Sequence, residues 1–201
     1  MMTMTRFTCL APALAAAAAL FSSCAPTPPK KADRVLSDWH DDHGPGEVSV
    51  EIDLGKQLAR YKRGGRPIGW SFVSTGKEGH STTPGDYSVT EKLELKESDR
   101  YGWITDAEGK LANGDAKPTT PLKEGEVYHA SPMHYWMRIT NYGVGMHAGE
   151  IPVPGEAASH GCIRLPKDFV PQLFEVVKVG TPVKVIRGKR PPADQVGLVD
   201  L

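Results

Sequence analysis

Cysteine is scarce: three residues in a chain of 201 cannot build a disulfide framework, and no two of them have the close spacing of a metal knuckle. An HExxH element is missing too, which removes the usual helical zinc motif. Net charge is absent, because 24 basic and 24 acidic side chains are interspersed and cancel. No basic face can track a phosphate backbone, so nucleic acid is excluded as a partner. Nor does any apolar run reach the length of a bilayer span; the longest, Leu10 to Phe21, falls short. What is present is 39% hydrophobic content over 201 residues, enough for one buried core and one globular domain.

The apolar run itself reads as an export signal. Arg6 supplies positive charge before it, and the small residues Ser22 and Ser23 follow it and precede Cys24. Small residues directly before a cysteine resemble a bacterial lipobox, with Phe21 where leucine is usual. That resemblance implies a lipid on Cys24, and Ala25 after it suits an outer-membrane lipoprotein if the organism is Gram-negative. Residues 1–24 are therefore expected to be signal, 25–46 a stiff polar linker opened by Pro26, Pro28 and Pro29, 47–187 the folded domain, and 188–201 a tail.

With Cys9 leaving in the signal and Cys24 lipidated, Cys162 stands alone in the domain, without a disulfide partner in an oxidising compartment. A lone cysteine is often a small buried hydrophobe. Its neighbours Ser159, His160 and Gly161 are polar or turn-forming, which suits a sulfur presented to a ligand, and the nucleophile reading outweighs the core reading.

Period-two alternation at Val48, Val50 and Ile52, a turn at 53–56, and strands near 57–62, 68–74 and 87–90 predict a meander of short antiparallel strands. Residues 99–125 form a long polar stretch punctuated by glycine and proline, with a hairpin turn around 106–110; we expect a mobile flap over Cys162. Strands follow at 135–140 and 144–147. Phe169, Val170, Leu173, Phe174, Val176 and Val177 have helical spacing, with Asp168 as N-cap, Pro171 in the first turn and Gly180 as terminator, before a last strand at 183–186.

Acyl transfer by cysteine needs a thiolate, a base, and amides facing the developing oxyanion. His147 precedes Cys162 by fifteen positions, and the intervening loop, with Pro152, Pro154 and Gly155, can fold back to bring imidazole to sulfur. His160, two positions from Cys162, shares its face only on an extended segment, so spacing leaves the geometry open. His147, His160 and Cys162 are also acceptable zinc ligands, which keeps a zinc hydrolase as a rival. His129 and His134 read as structural, and Tyr135, Trp136 and Met137 as core or groove wall.

Gly143-Val144-Gly145-Met146-His147 followed by Ser159-His160-Gly161-Cys162-Ile163-Arg164-Leu165 resembles the active-site signature of the L,D-transpeptidase (YkuD-type) domain. Val73-Ser74-Thr75-Gly76-Lys77, Thr83-Pro84-Gly85-Asp86-Tyr87 and Gly180-Thr181-Pro182-Val183 resemble the same family. The resemblance implies a mainly β fold, a β-sandwich or mixed sheet with one or two short helices. Together with the N-terminal signal and lipobox, the expectation is an exported enzyme of the periplasm or cell envelope that needs no metal or organic cofactor and touches the membrane only through its lipid anchor. Cys162 would attack the peptidoglycan stem-peptide carbonyl preceding a terminal D-alanine, with His147 as base. Amides around Gly161 and Cys162 would be the oxyanion donors, while His160, Arg164 and Ser159 support the pocket or substrate. The acyl group would pass to an acceptor amine, that of a protein included; with water instead, the enzyme is an L,D-carboxypeptidase or a hydrolase releasing wall-linked protein. Ala148 stands where some relatives place a side chain that orients the base, so its backbone carbonyl is the remaining candidate. A non-catalytic cell-wall-binding lipoprotein is the last alternative.

The N-terminal reading is checked by metabolic palmitate labelling: label is expected on the wild-type chain and lost in Cys24→Ala. An unlabelled mature protein starting elsewhere removes the anchor.

Overall fold

Alternating apolar residues become strands, and the inner faces of the two larger sheets supply the main core, beside a small second cluster of Leu58, Phe72 and Ile151. The computed structural model describes residues 34–197, so the segment read as a signal, Cys24 and the last four positions lie outside the described residues. In chain order the strands are β1 (Ser37–Trp39), β2 (Val48–Asp53), β3 (Leu58–Arg63), β4 (Arg66–Phe72), β5 (Gly85–Ser88), β6 (Glu91–Leu93), β7 (Glu97–Thr105), β8 (Leu111–Ala116), β9 (Val127–Pro132), β10 (Trp136–Arg138), β11 (Gly145–Ala148), β12 (Ile163–Leu165) and β13 (Pro182–Ile186). One helix, α1 (Val170–Val176), stands before β13, and a single 3-10 turn, Ala193–Gln195, follows it. No helix among the described residues is long and apolar enough to cross a membrane.

The strands make three sheets. A six-stranded sheet has the order β1-β4-β3-β2-β13-β5, a four-stranded sheet the order β12-β11-β10-β6, and a third the order β8-β7-β9. The predicted antiparallel meander holds for β2, β3 and β4, but β13 pairs parallel with β2, and β11 parallel with β12. The fold is thus mainly β with mixed sheets and one short helix. Val48, Val50, Ile52 and Tyr61 from the first sheet join Met137, Met146, Ile163 and Leu165 from the second, with Phe169, Val170 and Leu173 of the helical segment, in one cluster. The Tyr61 hydroxyl, fully buried, meets Ser71 Oγ at 2.7 Å, so it is not left unpaired.

Folding starts earlier than residue 47. β1 lies in the segment read as linker, adds to β4 with Trp39 opposite Gly69, and sets the Trp39 ring 5.5 Å from Phe169 and 5.8 Å from Tyr61. Charges that looked like linker have partners: Arg63 donates to both oxygens of Asp41 at 2.8 and 2.6 Å, and Arg66 to Asp42 at 3.2 Å. Those contacts hold the Asp41 carboxyl below the usual carboxylate range, the Arg63 hydrogen bond first among them.

The polar stretch 99–125 also differs from the expected loop. Its first half is a hairpin of β7 and β8, closed at the predicted turn, where Asp106 Oδ1 accepts from the Lys110 amide at 2.8 Å. β9 pairs on the other side of β7. Alternation was hidden because an inward position is Gly102, where a Cβ would lie 2.1 Å from the His129 carbonyl oxygen.

The N-cap of α1 is Phe169 rather than Asp168, without a side-chain cap bond, because the Pro166 carbonyl accepts from the amides of both Phe169 and Val170. The helix ends at Val177, and Gly180 instead donates to the Val89 carbonyl at 2.8 Å. The terminating group is remote in sequence: Lys92 Nζ donates to the carbonyls of Phe174 and Val177 at 2.6 and 2.5 Å and lies 4.1 Å from the Phe174 ring centroid. A cation there completes orphan carbonyls and complements the helix dipole. Lys92→Met, which keeps the stem and removes the ammonium, is expected to lower stability by about 1–2 kcal/mol in urea unfolding; an unchanged midpoint would mean the contact contributes nothing net.

Candidate active site

The parallel register of β11 and β12 decides which side chains meet. Met146 pairs with Ile163, His147 with Arg164 and Ala148 with Leu165. Met146, Ala148, Ile163 and Leu165 all enter the core. By the two-residue period, His147 and Arg164 therefore face the other way, and Cys162, just before β12, shares that face. All three line a cavity of about 320 Å³ together with Ser159 and His160.

Cys162 is partly open to solvent through the cavity mouth. Its sulfur lies 3.9 Å from the Gly143 carbonyl oxygen. Burial pushes the thiol above the ordinary cysteine range, against the opposing pull of the Gly145 amide and the charges of Arg164, Arg100 and Arg138. Gly145 must be glycine, since a Cβ there would come within 2.7 Å of both the Trp136 ring and the Met137 carbonyl.

His147 is buried, 7% exposed, and its Nδ1 sits 2.8 Å from the Ala148 carbonyl oxygen. A carbonyl only accepts, so Nδ1 carries the proton and Nε2 keeps a free lone pair. Burial lowers its pKa to about 4, with the Ala148 contact opposing. The orienting group left open in the sequence is thus the backbone carbonyl of the adjacent residue.

Ser159 ties the turn. Its hydroxyl accepts from the Gly161 amide at 3.0 Å and donates to the Cys162 carbonyl at 2.5 Å. The Gly161 amide is therefore already bonded within the turn, which departs from the expectation that it faces an oxyanion. His160 reaches away from the sulfur's partners: its ring stacks on Tyr101 at 4.3 Å and stands edge-on to His80 at 4.9 Å. Its Nε2 lies 2.8 Å from Asp115 Oδ1 without hydrogen-bond alignment, and desolvation by burial lowers the ring's pKa against the pull of that carboxylate. Arg164 lays its stem against Gly149, and desolvation lowers its pKa. It and His147 also line a second cavity, with His134. His129 lies outside the site, 3.0 Å from Thr105 Oγ1 and stacked on Trp103. Of the three aromatic-strand residues, Trp136 walls the cavity while Met137 is core.

Residues missed in the sequence hold this turn from outside. Ser74 and Arg164 exchange backbone hydrogen bonds, both 3.0 Å, on the free edge of β12. Gln57 bonds Thr75 twice, accepting from its amide at 2.8 Å and donating to its hydroxyl at 2.7 Å. Thr82 Oγ1 accepts from Gly76 at 3.0 Å and donates to the Gly161 carbonyl at 2.8 Å. The Thr-Gly and Thr-Thr-Pro neighbourhoods near 75 and 82 were the only sequence signal of this support.

The family model for the L,D-transpeptidase catalytic domain, YkuD, matches residues 47–185. The chain belongs to this family. Among solved structures, an L,D-transpeptidase from Mycobacterium smegmatis is similar at 22% identity and a TM-score of 0.54, covering 70% of this chain and 59% of that one, which shows the fold. An Enterococcus faecium L,D-transpeptidase, solved as a cysteine-to-serine mutant, is 26% identical with a TM-score of 0.52, covering 71% and 50%. An avibactam carbamoyl enzyme of an L,D-transpeptidase is 28% identical with a TM-score of 0.52, covering 70% and 49%. The chain thus spans about half to three fifths of the length of these structures. No curated protein matches in sequence. Among the described residues no group of three or more His, Cys, Asp or Glu is placed to hold a metal ion, so the zinc reading has no ligand set there.

In this cavity of an L,D-transpeptidase-family chain, burial favours the neutral form of both His147, its pKa lowered to about 4, and Cys162, its thiol raised above the ordinary range. Iodoacetamide alkylation of Cys162 should therefore climb with pH from roughly 6 to 9, tracking thiolate. A flat rate across that range would mean a resting thiolate–imidazolium pair instead.

Proposed function

We propose that the chain is a peptidoglycan L,D-transpeptidase in which Cys162 is the nucleophile and His147 the general base. The observation that carries this is the β11–β12 register, which sets the two side chains on one cavity face, with Nδ1 of His147 tied to Ala148 and Nε2 left to accept.

The thiol proton passes to His147 Nε2 as sulfur attacks the carbonyl preceding the terminal D-alanine. The Cys162 amide donates to the oxyanion, since the Gly161 amide is held by Ser159. When the tetrahedral intermediate collapses, the C–N bond breaks and the imidazolium returns its proton to the departing amine. A thioester remains until an acceptor amine, deprotonated by the same imidazole, attacks it and releases the thiol. Because both groups start neutral, the transfer separates no charge before substrate arrives, and the nearby cations stabilise the thiolate as it forms.

The same proposal places residues 1–24 as an export signal and Cys24 as a lipid tether in the envelope. The catalytic domain extends from β1 through β13.

Purified protein is incubated with disaccharide tetrapeptide donor and an acceptor amine, and intact protein and products are read by mass spectrometry. A Cys162-bound acyl group minus D-alanine, and cross-linked product, are expected; release of D-alanine with only hydrolysed tripeptide would make it a carboxypeptidase. Cys162→Ser should abolish the adduct, and His147→Ala should slow its formation by roughly 10²–10⁴-fold. A folded His147→Ala variant that retains full activity would falsify the base assignment. A carbapenem should add its mass to the wild type and not to Cys162→Ser.

A further inference from the structure

The chain carries no net charge, yet the Cys162 cavity is lined by Lys96, Arg100, Arg138 and Arg164 against one carboxylate, Asp99. Two of these cations are engaged inside the protein. Lys96 faces Asp99 at 3.5 Å, and Arg138 Nε donates to Glu91 at 3.0 Å. Arg164 is more deeply set and packed on Gly149. Arg100 is exposed and forms no ion pair among the described residues.

Its placement is built rather than incidental. On a regular strand Arg100 and Tyr101 would point to opposite faces, yet both line the cavity. The pairing of β7 with β9 explains this: Glu97 lies opposite Pro132 and the next pair is Gly102 with Ala130, so extra residues of β7 bulge out between them. Ser98 Oγ fastens the bulge by accepting from the amides of Arg100 at 3.3 Å and Tyr101 at 3.1 Å. Tyr101 then stacks on His160, two residues from the sulfur. Bulges beside active sites re-aim side chains in this way. Here the result is a guanidinium with its fork unfilled at the wall of the reaction cavity, a geometry suited to a carboxylate.

We propose that the bulge of β7 is a carboxylate-binding element in which Arg100 grips a carboxylate of the peptide donor, so that the site selects free-acid over amidated donors. This rests on the acyl-transfer reading above. Two donor carboxylates fit the chemistry, that of the terminal D-alanine and that of the third-residue side chain, and separate carboxamide donors distinguish them.

Acylation of Cys162 is measured with the free tetrapeptide and with each singly amidated form. In the wild type, amidating one of the two positions should lower acylation kcat/KM by about tenfold or more, and in Arg100→Ala that penalty should shrink below about threefold. Arg100→Lys should keep an intermediate penalty, since charge survives and the fork does not. Equal penalties in wild type and Arg100→Ala overturn the assignment. A second measurement needs no peptide: the ratio of Cys162 alkylation rates by iodoacetate and iodoacetamide should fall in Arg100→Ala and hold in Lys110→Ala, which removes the same charge from the hairpin turn. If no tetrapeptide acylates the wild type, the acyl-transfer reading fails; an unchanged alkylation ratio in Arg100→Ala defeats the anion site itself.

Discussion

The parallel pairing of β11 with β12 is the constraint on which the site depends. A one-residue slip of β12 would turn Arg164 into the core and Ile163 and Leu165 into the cavity, and a slip of β11 would do the same to His147 and Met146. Register is held from both edges: Met137 pairs with Met146 on one side, and Ser74 exchanges backbone bonds with Arg164 on the other. The buried methionine, isoleucine and leucine side chains strongly disfavour the slipped alternative, since it would expose them and bury a guanidinium.

The turn before β12 is rigid for a related reason. Several of its polar groups are tied together: Ser159 spans Gly161 and Cys162, Thr82 holds the Gly161 carbonyl, and Gln57 braces Thr75 beneath. Buried networks of this kind cost desolvation unless every member is paired, and when paired they fix one geometry. The same enclosure sets the electrostatics. Burial raises the thiol and lowers the imidazole, so the resting pair is uncharged. A protonated thiol is also the less oxidisable form, which suits the oxidising compartment proposed for the chain.

The hairpin of β7 and β8 couples a polar surface segment to this centre. Tyr101 stacks on His160 and Asp115 comes close to the same ring, so the arm is anchored to the turn that carries Cys162. Expected as a mobile loop, the segment is sheet through β8, because backbone pairing needs no apolar side chains and β9 supplies β7 with a second partner.

Sequence alone determined the family and singled out the candidate site residues, because Cys162, His147 and Ser159 to Leu165 sit in contiguous stretches whose local order is itself the signal. It also marked the strands with clean alternation, such as Val48–Asp53, and the helix with its 3.6-residue apolar spacing. Only the tertiary structure decided the rest, and each case is a partnership between distant residues. Trp39 became core by meeting Phe169, Lys92 ended a helix some eighty residues away, and Gln57 and Thr82 braced a turn they do not adjoin in sequence. The diversion of the Gly161 amide to Ser159 was likewise invisible, whereas the Ala148 carbonyl was already a candidate partner for His147 and lies 2.8 Å from its Nδ1. Backbone groups carry the same letters everywhere in a sequence, and which of them faces a given side chain is fixed only once the strands have paired.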